Sequence, residues 1–160
     1  MTRIVPHLWY VSEAEEAARF YCSIVPNSHV DAVSILGADT PSGPEGSVKM
    51  VEFTLAGQQF QAISAGPLDP FNHAISFMIL CKDQPELDRI WDGLLEGGGQ
   101  PEQCGWLRDR YGLCWQIVPA RFEEMMRDKD RARTKRVAEA MLKMVKFDIA
   151  ALERAYAGGE

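Results

Sequence analysis

Two stretches, Gly57-Gln58-Gln59-Phe60-Gln61-Ala62-Ile63 and Gly112-Leu113-Cys114-Trp115-Gln116-Ile117-Val118, share one pattern: a glycine, an aromatic three residues on, then Gln, then a branched aliphatic. Each reads as the last strand of a hairpin, the first turning at Ala56-Gly57 and the second at Tyr111-Gly112. Upstream of the first stretch, Ile4 to Val11 alternates as a strand, with His7, Trp9 and Val11 on one face and Leu8 and Tyr10 on the other. Ser12 followed by Glu15 is a capping-box pattern opening a helix over Glu13 to Val25, with Ala14, Ala17, Ala18, Tyr21 and Ile24 at helical spacing. His29 to Leu36 and Val48 to Leu55 are the intervening strands, separated by a Gly/Pro-rich loop.

After the linker Gly66 to Pro70 the pattern starts again. His73 to Cys81 reads as a strand, and Pro85 to Leu95 as a helix stopped by Gly97-Gly98-Gly99. Gln103 to Asp109 pairs with Leu113 to Val118 in a hairpin. Arg19-Phe20-Tyr21 aligns with Arg89-Ile90-Trp91 on the two helices, and His7 and His73 each open the first strand of their half. The fold class is therefore α+β, two tandem βαβββ modules over residues 1–66 and 71–120. A four-stranded unit leaves one sheet face open, so pairing the two into a curved mixed sheet around a concave pocket is expected. From residue 121 to 157 the chain turns helical, with a break near Phe147-Asp148 and an apolar stripe of Val137, Met141, Met144, Val145, Ile149, Leu152 and Tyr156. This stripe is expected to brace the sheets and to support a homodimer.

The formal net charge of -6 disfavours nucleic acid, whose binding needs clustered Lys and Arg. The one basic cluster, Arg131, Arg133, Lys135 and Arg136, reads as a solvated helix face. No run approaches the roughly 20 apolar residues of a membrane span, and Met1 to Val11 does not read as a signal peptide. Cys22, Cys81, Cys104 and Cys114 lack C-x-x-C spacing and read as reduced thiols of a cytoplasmic protein. Cys104 stands out, because it sits in a turn beside Gly105 and Trp106.

Several runs resemble the glyoxalase / vicinal-oxygen-chelate superfamily, and within it the PhnB-like family that carries the label 3-demethylubiquinone-9 3-methyltransferase. They are Pro6-His7-Leu8-Trp9, Glu15-Glu16-Ala17, Phe20-Tyr21, Ser76-Phe77, Cys104-Gly105-Trp106-Leu107-x-Asp109, Trp115-Gln116-Ile117-Val118-Pro119 and Glu139-Ala140-Met141-Leu142-Lys143-Met144. The resemblance implies a glyoxalase / dihydroxybiphenyl dioxygenase-like fold. By position it implies a metal-ligand set of His7, Gln61, His73 and Gln116, where metal-dependent relatives carry Glu at the two Gln positions.

Two amides in place of two carboxylates leave a divalent charge uncompensated, by several kcal/mol even at an effective dielectric of about 20. They also remove a base from the site. No cofactor is therefore expected, and the four positions read as a degenerate site. The ligand-pocket candidates are His7, Trp9, Gln61, His73, Cys104, Trp106 and Gln116; Trp9, Trp106 and Trp115 also fit as core residues. The expected function is binding of a small molecule in the concave pocket, with or without metal-independent turnover. Two alternatives stand beside it: a divalent-metal lyase, isomerase or dioxygenase, and a structural or regulatory dimer without chemistry. The methyltransferase label has no support in a Gly-rich strand-to-helix turn or a doubly wound pattern.

Overall fold

The computed structural model describes residues 1–159 and divides into two compact units, Met1–Pro70 and Phe71–Glu160. The first runs β1 (His7–Tyr10), α1 (Ala14–Ile24), β2 (His29–Ile35), β3 (Lys49–Leu55) and β4 (Gln58–Ser64). Its four-stranded mixed sheet has the order β1-β4-β3-β2, with β1 parallel to β4 and the other pairs antiparallel. The second runs β5 (Phe77–Cys81), α2 (Gln84–Leu95), β6 (Gln100–Pro101), β7 (Trp106–Arg108) and β8 (Cys114–Pro119). Its order, β5-β8-β7-β6, repeats the first with β5 parallel to β8. Both units are βαβββ, as the repeated Gly-x-x-aromatic-Gln pattern requires. Gly57 and Gly112 adopt φ of 84° and 86°, the left-handed conformation that glycine enters without steric cost.

Each sheet buries one face under its own helix. In the first unit Leu8, Tyr10, Val51, Phe53, Phe60 and Ala62 face Ala14, Ala17, Ala18 and Tyr21 of α1. The alanines let the helix lie close, and the Tyr10 and Tyr21 hydroxyls bond at 2.9 Å inside this layer. In the second unit Leu107, Trp115 and Ile117 are covered by Leu87, Ile90, Trp91 and Leu94 of α2. Asp109, only 3% exposed, accepts from the Tyr111 and Leu113 amides at 2.8 and 3.1 Å and from Trp115 Nε1 at 2.9 Å. This one carboxylate closes the hairpin turn and orients the largest core side chain.

Several expectations are corrected. Ser12 does not cap α1; Ser64 Oγ on β4 accepts from the Ala14 amide at 2.9 Å instead, while Glu15 turns outward to Arg19 and Lys49. A buried tertiary acceptor thus replaces the local capping box. His73 is not in a strand: Asn72 Oδ1 accepts from the Ala74 amide at 2.8 Å, folding residues 72–74 into a turn, and β5 begins at Phe77. Gln103 to Gly105 is likewise a turn ahead of a short β7, and β6 is an added edge strand.

The tail breaks twice, into α3 (Ala120–Met126), α4 (Arg131–Met141) and α5 (Ile149–Ala157), with Asp130 and Asp148 capping the last two. The basic cluster is not a uniformly solvated face. Arg136 donates to the Ala155 and Tyr156 carbonyls at 2.9 and 3.1 Å, and Arg133 lies over the Tyr156 ring and pairs with Asp128 at 3.3 Å. Both arginines thereby bind the end of α5. Val137 and Leu152 of the apolar stripe are fully buried within this unit, whereas Val145 is 40% exposed.

Replacing Asp109 with Ala strands two amides and an indole N–H, and should cost on the order of 3 kcal/mol in urea unfolding. Ser64→Ala, which leaves one helix amide without its acceptor, should cost about 1 kcal/mol. Equal losses in the two variants would refute the ranking.

Candidate functional site

With one face of each sheet covered, the polar candidates fall on the other. In the first unit His7, Gln61 and Glu52 form one row across β1, β4 and β3, each the register partner of the next. Gln61 Nε2 points to Glu52 Oε1 at 3.4 Å. Trp9, two residues along β1 on the same face, donates from Nε1 to the Gly66 carbonyl at 2.8 Å, which fixes the plane of its indole. The first unit thus brings His7, Trp9 and Gln61 onto one surface.

In the second unit His73, Glu102, Gln103 and Trp106 line an open cleft of ≈ 540 Å³. His73 Nε2 lies 2.9 and 3.0 Å from the two Glu102 oxygens, and Arg108 Nε lies 3.3 Å from the same carboxylate. The His73 and Trp106 rings are 6.1 Å apart between centroids. Trp106 is the register partner of Gln116, whose Nε2 donates to Ser76 Oγ at 2.8 Å. A carboxylate that accepts from Nε2 holds the neutral imidazole in one tautomer and leaves Nδ1 as the acceptor. The cleft therefore offers an aromatic face, a proton acceptor oriented by an acid, and amides, which suits a planar ligand with O–H or N–H groups.

Of the seven expected pocket residues, His73 and Trp106 line this cleft and Gln116 stands beside Trp106. Cys104 lies in the adjoining turn, half-buried, with φ of 58°. Trp115 is core. Glu102, Gln103, Arg108 and Ser76 were missed; the one available signal was a carboxylate two residues ahead of the Cys104-Gly105-Trp106 run.

The ligand set implied by resemblance does not fit a divalent ion. His73 Nε2 faces Glu102, and the Gln61 and Gln116 amide nitrogens are directed at Glu52 and Ser76. The symmetry of His7 and His73 also fails. Gln61 is paired with His7, but Gln116 is paired with Met78, a thioether that hard and borderline metals disfavour. Among the described residues no three His, Cys, Asp or Glu side chains converge as a metal site.

Burial pushes the Cys81 thiol up to about 12, and desolvation also raises Cys114 and Cys22. These thiols stay protonated near neutrality.

Comparison with known proteins places the fold. The family described as 3-demethylubiquinone-9 3-methyltransferase matches residues 2–118. The PhnB protein of Bacillus cereus is 30% identical, with 74% of this chain and 100% of that one covered at a TM-score of 0.64. The fosfomycin resistance protein FosX of Mesorhizobium loti is similar in fold at 10% identity, covering 80% of this chain and 100% of that one with a TM-score of 0.54. FosX of Listeria monocytogenes, in a structure holding Mn(II) and sulfate, is 15% identical, covering 78% and 94% with a TM-score of 0.52. No curated protein matches the sequence.

Iodoacetamide at pH 8 should alkylate Cys104 while Cys81 and Cys114 remain unmodified in peptide mass spectra. Labelling of Cys81 at a rate equal to Cys104 would contradict the burial argument.

Proposed function

The chain belongs to the 3-demethylubiquinone-9 3-methyltransferase (PhnB-like) family of the glyoxalase superfamily, and on that premise we propose that it binds a small planar, hydroxylated or aminated molecule in the His73–Glu102–Trp106 cleft. The observation that carries this reading is the His73–Glu102 pair set beside a half-exposed indole. Trp106 offers its face to the ring, and Glu102 and Gln103 accept from or donate to its substituents. His73 Nδ1 accepts a ligand proton, so metal-free proton transfer is within reach of the site. The exposed surface of His7, Trp9 and Gln61 is the second candidate contact area. Methyl transfer is not part of the proposal, because neither βαβββ unit supplies the doubly wound sheet with a Gly-rich strand-to-helix turn that would carry a nucleoside methyl donor.

The competing reading, a divalent-metal enzyme, takes its support from the Mn(II) in the Listeria FosX structure. The cysteine pattern supports a cytoplasmic setting, since the four thiols are free. The exposed Leu142 and Val145 of the tail, 63% and 40% accessible, support a homodimer, which sedimentation at micromolar concentration would reveal.

Screening planar hydroxy- and aminoarenes by NMR should give ligands that shift the Trp106 indole resonance. Trp106→Ala should then weaken them tenfold or more, about 1.4 kcal/mol, and Glu102→Gln should alter the pH profile of binding. Binding untouched by Trp106→Ala would sink the cleft assignment. Elemental analysis and titration with Mn, Zn, Ni and Co should give no stoichiometric metal. A full equivalent that disappears in His7→Ala or His73→Ala would establish the metal reading instead.

A further inference from the structure

Residues 120–159 lie beyond the family match, yet the segment between α4 and α5 reaches back to the cleft. The Cys104 amide donates to the Met144 carbonyl at 2.8 Å, and the Gly105 amide to the Val145 carbonyl at 2.7 Å. On the opposite side Gly105 accepts from the Ile117 amide at 2.8 Å, so the turn is held between β8 and the connector. Phe147, 2% exposed, lies so close over Gly105 that any side chain there would overlap its ring. Cys104 and Gly105, with φ of 58° and 81°, form a two-residue turn like Ala56-Gly57, closed by the Trp106 amide donating to the Gln103 carbonyl at 3.1 Å.

The connector is itself anchored. Gln84 at the start of α2 donates from Nε2 to the Phe147 carbonyl at 3.0 Å and accepts the Ile149 amide on Oε1 at 2.8 Å. Lys146 pairs with Asp88, one turn along the same helix, at 2.9 Å. Hydrogen bonds and an ion pair therefore link α2, through the connector, to the Gln103–Gly105 turn. That turn is flanked by Glu102 and Trp106 and includes Gln103, three of the four residues that line the cleft.

We infer that the 142–148 connector is a positioning clamp, which sets Glu102, Gln103 and Trp106 against His73 and so gives this chain a cleft geometry governed by a segment beyond the matched residues 2–118. Its functional meaning rests on the cleft reading above, but the clamp is testable without any ligand. Linkage then requires that a ligand which orders the turn also tightens the connector. A tail that only covers apolar surface has no such effect on the turn.

The test uses the full chain and Gln84→Ala, which removes the anchor without touching the cleft. The control is Arg121→Ala, which removes the α3–α5 ion pair with Glu153 (2.7 Å) in the same extension. Amide exchange at Cys104 and Gly105 should accelerate at least tenfold in Gln84→Ala, with a shift of the Trp106 indole resonance and faster alkylation of Cys104. Arg121→Ala should leave all three unchanged. Unaltered exchange in Gln84→Ala, or equal acceleration in both variants, would overturn the clamp. Should Gln84→Ala fail to fold, Phe147→Leu, which keeps an apolar filler but loses the ring over Gly105, is judged by the same two criteria. Phenol titration separates the two ideas. Absence of phenol binding to the parent chain removes the cleft reading and leaves exchange to decide the clamp, whereas equal affinity in parent and Gln84→Ala overturns the positioning role.

Discussion

A four-stranded sheet served by one helix can cover only one of its faces, and this constraint organises both units. The covered face takes the apolar half of each alternating strand: Leu8 and Tyr10 on β1, Phe60 and Ala62 on β4, Trp115 and Ile117 on β8. The other half of β1 and β4 is thereby left on the opposite face, as is Gln116 of β8, although its neighbours Cys114 and Val118 on that face are buried as well. His7, Trp9 and Gln61 in one unit, and Trp106 and Gln116 in the other, are there because the pleat leaves them no alternative. Burial of the hydrophobic face is what presents the candidate chemistry.

Polar groups inside the covered layers are satisfied within the fold, by a partner distant in sequence for Ser64 and by near ones for Asp109. Ser64 on β4 serves the first turn of α1, and Asp109 serves its own turn and the Trp115 indole. Asx turns and caps that are local, at Asn72, Asp83, Asp130 and Asp148, occur where the chain is exposed. The distinction explains the displaced capping box at Ser12. A buried acceptor contributed by the sheet outcompetes a solvent-exposed side chain, because leaving Ser64 unpaired would incur a desolvation cost.

The relation between His7 and His73 shows how a repeat can mislead. Both histidines open their half in sequence, and register gives Gln61 its partner His7. The same register gives Gln116 the partner Met78, because the Asn72 turn holds His73 ahead of the strand. His73 is released to pair with Glu102 and to face Trp106. The two halves thus share a scaffold but place their imidazoles in different surroundings, one in a His–Gln–Glu row and one in a His–Glu–Arg cluster.

Alternation, helical spacing and the recurring Gly-x-x-aromatic-Gln run are local periodicities, and they determined the βαβββ order, the duplicated halves, the strand faces and the helical tail. Those features follow from backbone geometry and the burial of apolar surface, which a linear pattern records. Tertiary structure alone decided that Glu102 meets His73, 29 positions away, that Arg133 and Arg136 turn inward to α5, and that the 144–145 carbonyls receive the Cys104 and Gly105 amides. Contacts of this kind depend on where a turn aims a side chain after packing. They pair residues of no shared period, so no spacing in the sequence encodes them.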